Sequence, residues 1–234
     1  MKTALTVFAL VVLAFVVPFF IPFGGTPEDA DADADHNLPW QIGVDAAGNS
    51  EVFGLKPGQS TLADARARFG DDFEVAIVAA PNETGALEAY YGQISLGFVR
   101  GYLIFTLNNT PEEIAAIYEH ALKREYMGSG ARKIILHPDD RARAESTVIR
   151  AITVIPRARL DESTIVARFG QPAEILPEGK TLAHYLYPEK GLDIVFDRKG
   201  KEILHYVAPQ DFDAKIRAQL PRSESPTGEK EKPR

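Results

Sequence analysis

Cysteine is absent from the 234 residues. That excludes disulfides, thiolate zinc sites, a cysteine nucleophile and a lipid-bearing N-terminal cysteine. Excess positive charge is missing too: 26 Lys and Arg against 33 Asp and Glu leave a net charge of −7, so the clustered cations that attract nucleic acid do not arise. Histidines are few and scattered, at 36, 120, 137, 184 and 205. No phosphate-binding glycine motif occurs, and Gly128-Ser129-Gly130 lacks the strand-to-helix context of a nucleophile elbow.

What is present begins with an uncharged run over residues 3–23. As a helix it rises roughly 31 Å at about 1.5 Å per residue, enough for a hydrocarbon core of about 30 Å. Lys2 precedes it and no Lys or Arg follows before Lys56, which predicts a cytoplasmic N-terminus with the bulk of the chain in the periplasm. A cleaved signal peptide has a shorter apolar stretch that ends at its small-residue site. Here the Ala-x-Ala sites at 30–32 and 32–34 stand several residues beyond the run, so an uncleaved anchor is the expectation. Asp29, Asp31 and Asp33 imitate a calcium loop, but Ala34 and Trp40 occupy the places of its glycine and glutamate. Residues 24–38 therefore read as a solvated acidic tether.

One phrase is written twice. Residues 55–70 and 160–170 each place a polar cap before a short helix and end on Ala67-Arg68-Phe69-Gly70 and Ala167-Arg168-Phe169-Gly170, the order that helix termini require. A hairpin is predicted around residues 45–50. Short strands are predicted over 73–80, 87–91, 94–99 and 102–107, separated by turns at Pro81, Gly92 and Gly101. Thr110 and Pro111 open a helix whose apolar face is Ile114, Ile117, Tyr118, Ala121 and Leu122, ended by Gly128, with Glu119 placed to pair with Lys123. A second helix is expected over 138–147 and a strand over 149–155. After the second copy, strands are expected over 173–176, 182–187, 192–197 and 202–207, then a closing helix over 211–220.

The predicted architecture is α+β: an N-terminal transmembrane helix, then two copies of a short helix plus antiparallel sheet joined by a helical segment. Its divisions are an anchor at 1–23, the tether at 24–38, a first repeat at 39–109, a connecting segment at 110–150, a second repeat at 151–221 and a disordered tail at 222–234, rich in Ser, Pro, Glu and Lys. Phe69 and Phe169 are expected to be equivalent core anchors, and Arg68 and Arg168 to solvate the helices.

This pattern resembles the unit of the SmpA/OmlA (BamE) outer-membrane assembly lipoproteins and the tandem β-lactamase-inhibitor-protein fold. The matching residues are Leu55, Gly58, Ser60, Ala65, Phe69 and Gly70, then Ile155, Leu160, Val166, Phe169, Gly170 and Pro172. They are helix, turn and packing positions, so the resemblance bears on fold. The lipidated cysteine of those lipoproteins has no counterpart, and a span in the inner membrane would replace the lipid.

No catalytic, cofactor-binding or metal-ligating set is assigned. His184 and His205 fall on strands with another between them, and Asp139 and Asp140 suit the first turn of a helix without any chemical role. The expectation is a non-enzymatic, inner-membrane-anchored periplasmic interaction module for envelope assembly or maintenance. It needs no cofactor, its partner is another envelope protein, and exposed strands or tyrosines form the contact surface. The alternative is a periplasmic ligand binder or hydrolase using a groove between the copies.

Overall fold

The computed structural model describes residues 37–220. The expected anchor, most of the tether, His36 and the C-terminal tail lie outside the described residues. Among the described residues no helix is long and apolar enough to cross a membrane.

Among the described residues the fold is α+β, with one large antiparallel sheet and five α-helices. In chain order the elements are β1 (Gly43–Val44), β2 (Ser50–Glu51), α1 (Leu62–Phe69), β3 (Phe73–Ala79), β4 (Ala86–Leu96), β5 (Val99–Leu107), α2 (Pro111–His120), β6 (Lys123–Tyr126), β7 (Arg132–Ile135) and α3 (Pro138–Ala144). There follow β8 (Ile149–Pro156), α4 (Glu162–Phe169), β9 (Glu174–Glu178), β10 (Leu182–Tyr187), β11 (Leu192–Asp197), β12 (Ile203–Val207) and α5 (Phe212–Lys215). The ten-stranded sheet runs β6-β7-β3-β4-β5-β8-β12-β11-β10-β9. Setting aside α2, β6, β7 and α3, the order of one helix and four strands occurs twice, and the two halves meet where β8 pairs with β12.

Local chemistry explains the matching helices. The Thr61 hydroxyl accepts from the Asp64 N–H (3.3 Å) while the Asp64 carboxylate accepts from the Thr61 N–H (2.7 Å), so each satisfies an orphan donor at the start of α1. Asp161 accepts from the Thr164 N–H (2.7 Å) to start α4. Both helices stop at glycines with positive φ, 84° at Gly70 and 86° at Gly170. The same tyrosine then clamps each stop: Tyr91 donates its hydroxyl proton to the Gly70 carbonyl (3.1 Å) and Tyr187 to that of Gly170 (3.0 Å).

α1–α4 lie on one face over a single core that draws on both halves, including Leu62, Ala65, Ile114, Ile117, Ala144, Ile165 and Phe169. The opposite face is covered in part by the C-terminal segment. Phe212, Ile216 and Leu220, spaced by four, seat on Ala151, Leu186 and Val207, although the closing helix itself is only one turn of α flanked by two short 3₁₀ turns.

Several expectations are corrected. Gly92 and Gly101 do not interrupt strands: β4 runs through a bulge between Tyr91 and Gln93, and the reversal falls at Gly97-Phe98, where Gly97 has φ 59°. At Gly101 a Cβ would stand 2.8 Å from the Ile155 carbonyl oxygen, so glycine permits the close approach of β5 to β8. The helix from Pro111 stops at His120, not Gly128, because Ala121 turns extended and the Leu122 N–H bonds to the Ile135 carbonyl (3.0 Å). Non-local pairing thereby overrides a local helical period, Leu122 becomes exposed, and Lys123 pairs with Glu125 (2.6 Å) instead of Glu119. The linking stretch thus contains the hairpin β6–β7 as well as helices, with Gly128-Ser129-Gly130 in its turn. The hairpin at 45–50 forms, with strands of only two residues. Leu38, assigned to the tether on composition, is buried.

Candidate interaction surface

The sheet face opposite α1–α4 carries a row of polar side chains. Register places Thr153 of β8 opposite His205 of β12, and His205 opposite Asp193 of β11. His205 Nδ1 and the Thr153 hydroxyl lie 2.8 Å apart. Burial, together with the nearby Arg150 charge, pushes His205 down to about 4, so it is neutral at pH 7. Its partner Thr153 is fully buried, and a substrate has no path to that hydroxyl. Further along, Glu88 sits opposite Thr106; burial pushes it up to about 7, against the opposing pull of Arg150.

His184 of β10 is held between two carboxylates. Its Nδ1 lies 2.8 Å from Asp193 Oδ2 and its Nε2 lies 2.9 Å from Glu178 Oε2. Only the imidazolium supplies a donor at both nitrogens. Burial alone would lower the His184 pKa, but the hydrogen bonds and charge of Asp193, then Glu178, overcome it and raise it to about 9. Burial raises Asp193, opposed by His184. With both nitrogens taken and only 2% of the residue exposed, His184 has no free atom with which to act as a base. The three side chains form one ion cluster across β9, β10 and β11. His184 and His205 are therefore linked through Asp193 on the intervening strand, a connection that strand order alone did not reveal. Among the described residues no group of three or more His, Asp and Glu is placed to hold a metal ion.

The other sequence candidates are local. His137 caps α3, its Nδ1 accepting from the Asp139 N–H (3.3 Å), and Asp140 is buried against Arg143. His120 ends α2 in solvent.

The two repeated arginines do more than solvate. Arg68 hydrogen-bonds the Asn37 side chain, and the Arg168 guanidinium lies 4.9 Å from the Trp40 ring centre. Between these contacts Leu38 is buried and the Pro39 carbonyl accepts from the Tyr206 hydroxyl (2.8 Å). Residues 37–40 thus form a strap held by the last turns of α1 and α4. Trp40 also packs edge-on against Phe169 (6.1 Å), which accounts for an asymmetry: Phe169 is buried, whereas Phe69, packed on Tyr91 and Phe105, is only half-buried. The repetition of Arg-Phe-Gly was the signal available in the sequence, but nothing in it named the strap as the partner.

The junction of the two halves is the β8–β12 ladder. An open recess of about 610 Å³ lies elsewhere, beside β1 and β2, lined by Gln41, Asp45, Glu51, Lys56 and Arg68 among others. Its Lys56 is occupied by Asp45 at 3.1 Å. Among the described residues the exposed large apolar side chains are Val44, Phe98, Leu122, Tyr126 and Ile175. Ile175 lies on one edge strand of the sheet, β9, while Leu122 and Tyr126 bound the other, β6. No protein-family model, no curated protein and no solved structure matches the chain.

Proposed function

We propose that the chain is a non-enzymatic protein-interaction module, anchored in the inner membrane by residues 3–23 with its folded part in the periplasm, serving envelope assembly or maintenance. The observation that carries the reading is the contrast between interior and edge. The inward histidines are committed to Thr153, Asp193 and Glu178, whereas the sheet ends on strands with one neighbour each and large apolar side chains in solvent. Such edges suit contact with another chain.

The uncharged run and the absence of Lys and Arg between residues 3 and 55 support the anchor and its orientation. The repeated helix-and-strand order supports the resemblance to the SmpA/OmlA unit and to the tandem β-lactamase-inhibitor-protein fold as an architectural one. The test is a reporter fused after Leu220 that works only outside the cytoplasm, combined with capture from detergent-solubilised membranes. Activity of the reporter and capture of an envelope protein are expected. An inactive reporter would sink the topology, and a mature N-terminus near residue 33 would sink the anchor alone.

A further inference from the structure

The two edges of the sheet differ. β9 carries Pro177, which offers no N–H to an incoming strand and so guards its edge. β6 has no proline and is paired with β7 alone. It is flanked in solvent by Leu122, 61% exposed, and Tyr126, 81% exposed.

The phase of the ladder decides what β6 offers. The Met127 N–H bonds to the Ala131 carbonyl (2.8 Å), and the register pairs Glu125 with Lys133 and Lys123 with Ile135. Because antiparallel bonding alternates, Lys123 and Glu125 turn their backbone groups toward β7, while Arg124 and Tyr126 turn theirs outward. Side chains alternate as well. Arg124 opposes Ile134, which belongs to the core beneath the helices, so Arg124 and Tyr126 share the helix face and Lys123 and Glu125 the opposite one.

We infer that β6 is a homodimer edge: it pairs antiparallel with β6 of a second copy about a two-fold axis at Arg124, extending the sheet across both chains. A two-fold perpendicular to a sheet keeps each face on its own side, so only residues of like parity can oppose one another. Centring on Arg124 sets Lys123 opposite Glu125 of the other copy, twice over. Opposite charges meet in one register, and the outward N–H and C=O of Arg124 face their equivalents. The Arg124 side chains, which would otherwise repel, are drawn back in each copy onto Tyr118. There the guanidinium donates to the Tyr118 carbonyl (3.0 Å) and lies 5.8 Å from the ring centre. Moving the axis by one residue instead opposes Glu125 to Glu125 or Lys123 to Lys123. A second copy is therefore the occupant that this edge fits, and the pairing requires nothing of the membrane anchor.

The test uses the full-length chain in detergent, analysed by sedimentation equilibrium, with circular dichroism to confirm folding. The wild type is expected to dimerise. Lys123→Glu alone and Glu125→Lys alone should each raise the dimer dissociation constant at least about tenfold, since each opposes like charges twice. An equimolar mixture of the two variants should restore dimerisation, because each then meets its complement across the axis. Since the chain has no cysteine, Arg124→Cys should give an oxidised dimer, and Ile175→Cys on β9 should not. A monomeric wild type, single variants that dimerise like the wild type, a mixture that does not recover, or capture of only foreign chains by β6 would overturn the inference.

Discussion

Replacing His184 with glutamine tests the buried ion cluster most directly. The change keeps a hydrogen-bonding side chain of similar length but removes the only positive group between Asp193 and Glu178. Breaking one member of a buried pair costs about 3–5 kcal/mol, because the remaining charge is left uncompensated. The pH dependence is more specific than the loss itself. His184 is raised from an ordinary 6.5 to about 9 in the folded chain, so its stabilisation is fully present below 6.5 and is lost as pH rises through 9. At about 1.4 kcal/mol per tenfold change in proton affinity, that loss is at most about 3.5 kcal/mol. Below pH 7 other groups act against one another. Glu88, raised to about 7, makes stability fall with rising pH between 4.5 and 7, whereas His205, lowered to about 4, makes stability increase between 4 and 6.5. The window from pH 7 to 9 thus separates His184 from Glu88 and His205. Urea unfolding of the full-length chain in detergent, followed by far-UV circular dichroism, should show the wild type losing stability across that window and His184→Gln starting lower and staying flat. An equal slope in both proteins would refute the assignment of the imidazolium to this cluster.

Phe169→Ala should cost about 3–5 kcal/mol, the range for a buried phenylalanine, and Phe69→Ala less than half of that, measured by the same unfolding assay; equal costs would remove the distinction that Trp40 imposes. Arg168→Ala should lose about 0.5–1 kcal/mol in the Trp40 background and almost nothing after Trp40→Leu, since the stacking is then already gone.

The sequence made the repeated helices legible because their signals are local: Thr61 with Asp64, Asp161 with Thr164, and a glycine at each stop. The strands of the second half were legible because turns bracket short β-branched runs there. β6 and β7 were not, because Ile114, Ile117, Tyr118, Ala121 and Leu122 continue a helical period past His120, and only pairing with distant Ile135 ends it. Gly92 and Gly101 carry the usual mark of a turn, yet one sits in a bulge and the other under a crossing carbonyl. The role of His184 was hidden for the same reason: its partners Asp193 and Glu178 come from the strands on either side, and pattern alone does not set their register. Phe69 and Phe169 read as twins because Trp40, which separates them, lies far away along the chain.

The strap of residues 37–40 also determines how the fold bears a mechanical load. Tension entering the chain at Asn37 meets α1 first through Arg68, then β12 through the Pro39–Tyr206 bond, then α4 through Trp40. These contacts straddle the seam between the halves and do not run along an outer strand, so the pull is shared by both halves. A tether attached at the end of such a sheet would peel it strand by strand. Here no strand can be peeled from this side until the strap has given way, and the force that frees one half reaches the other at the same moment.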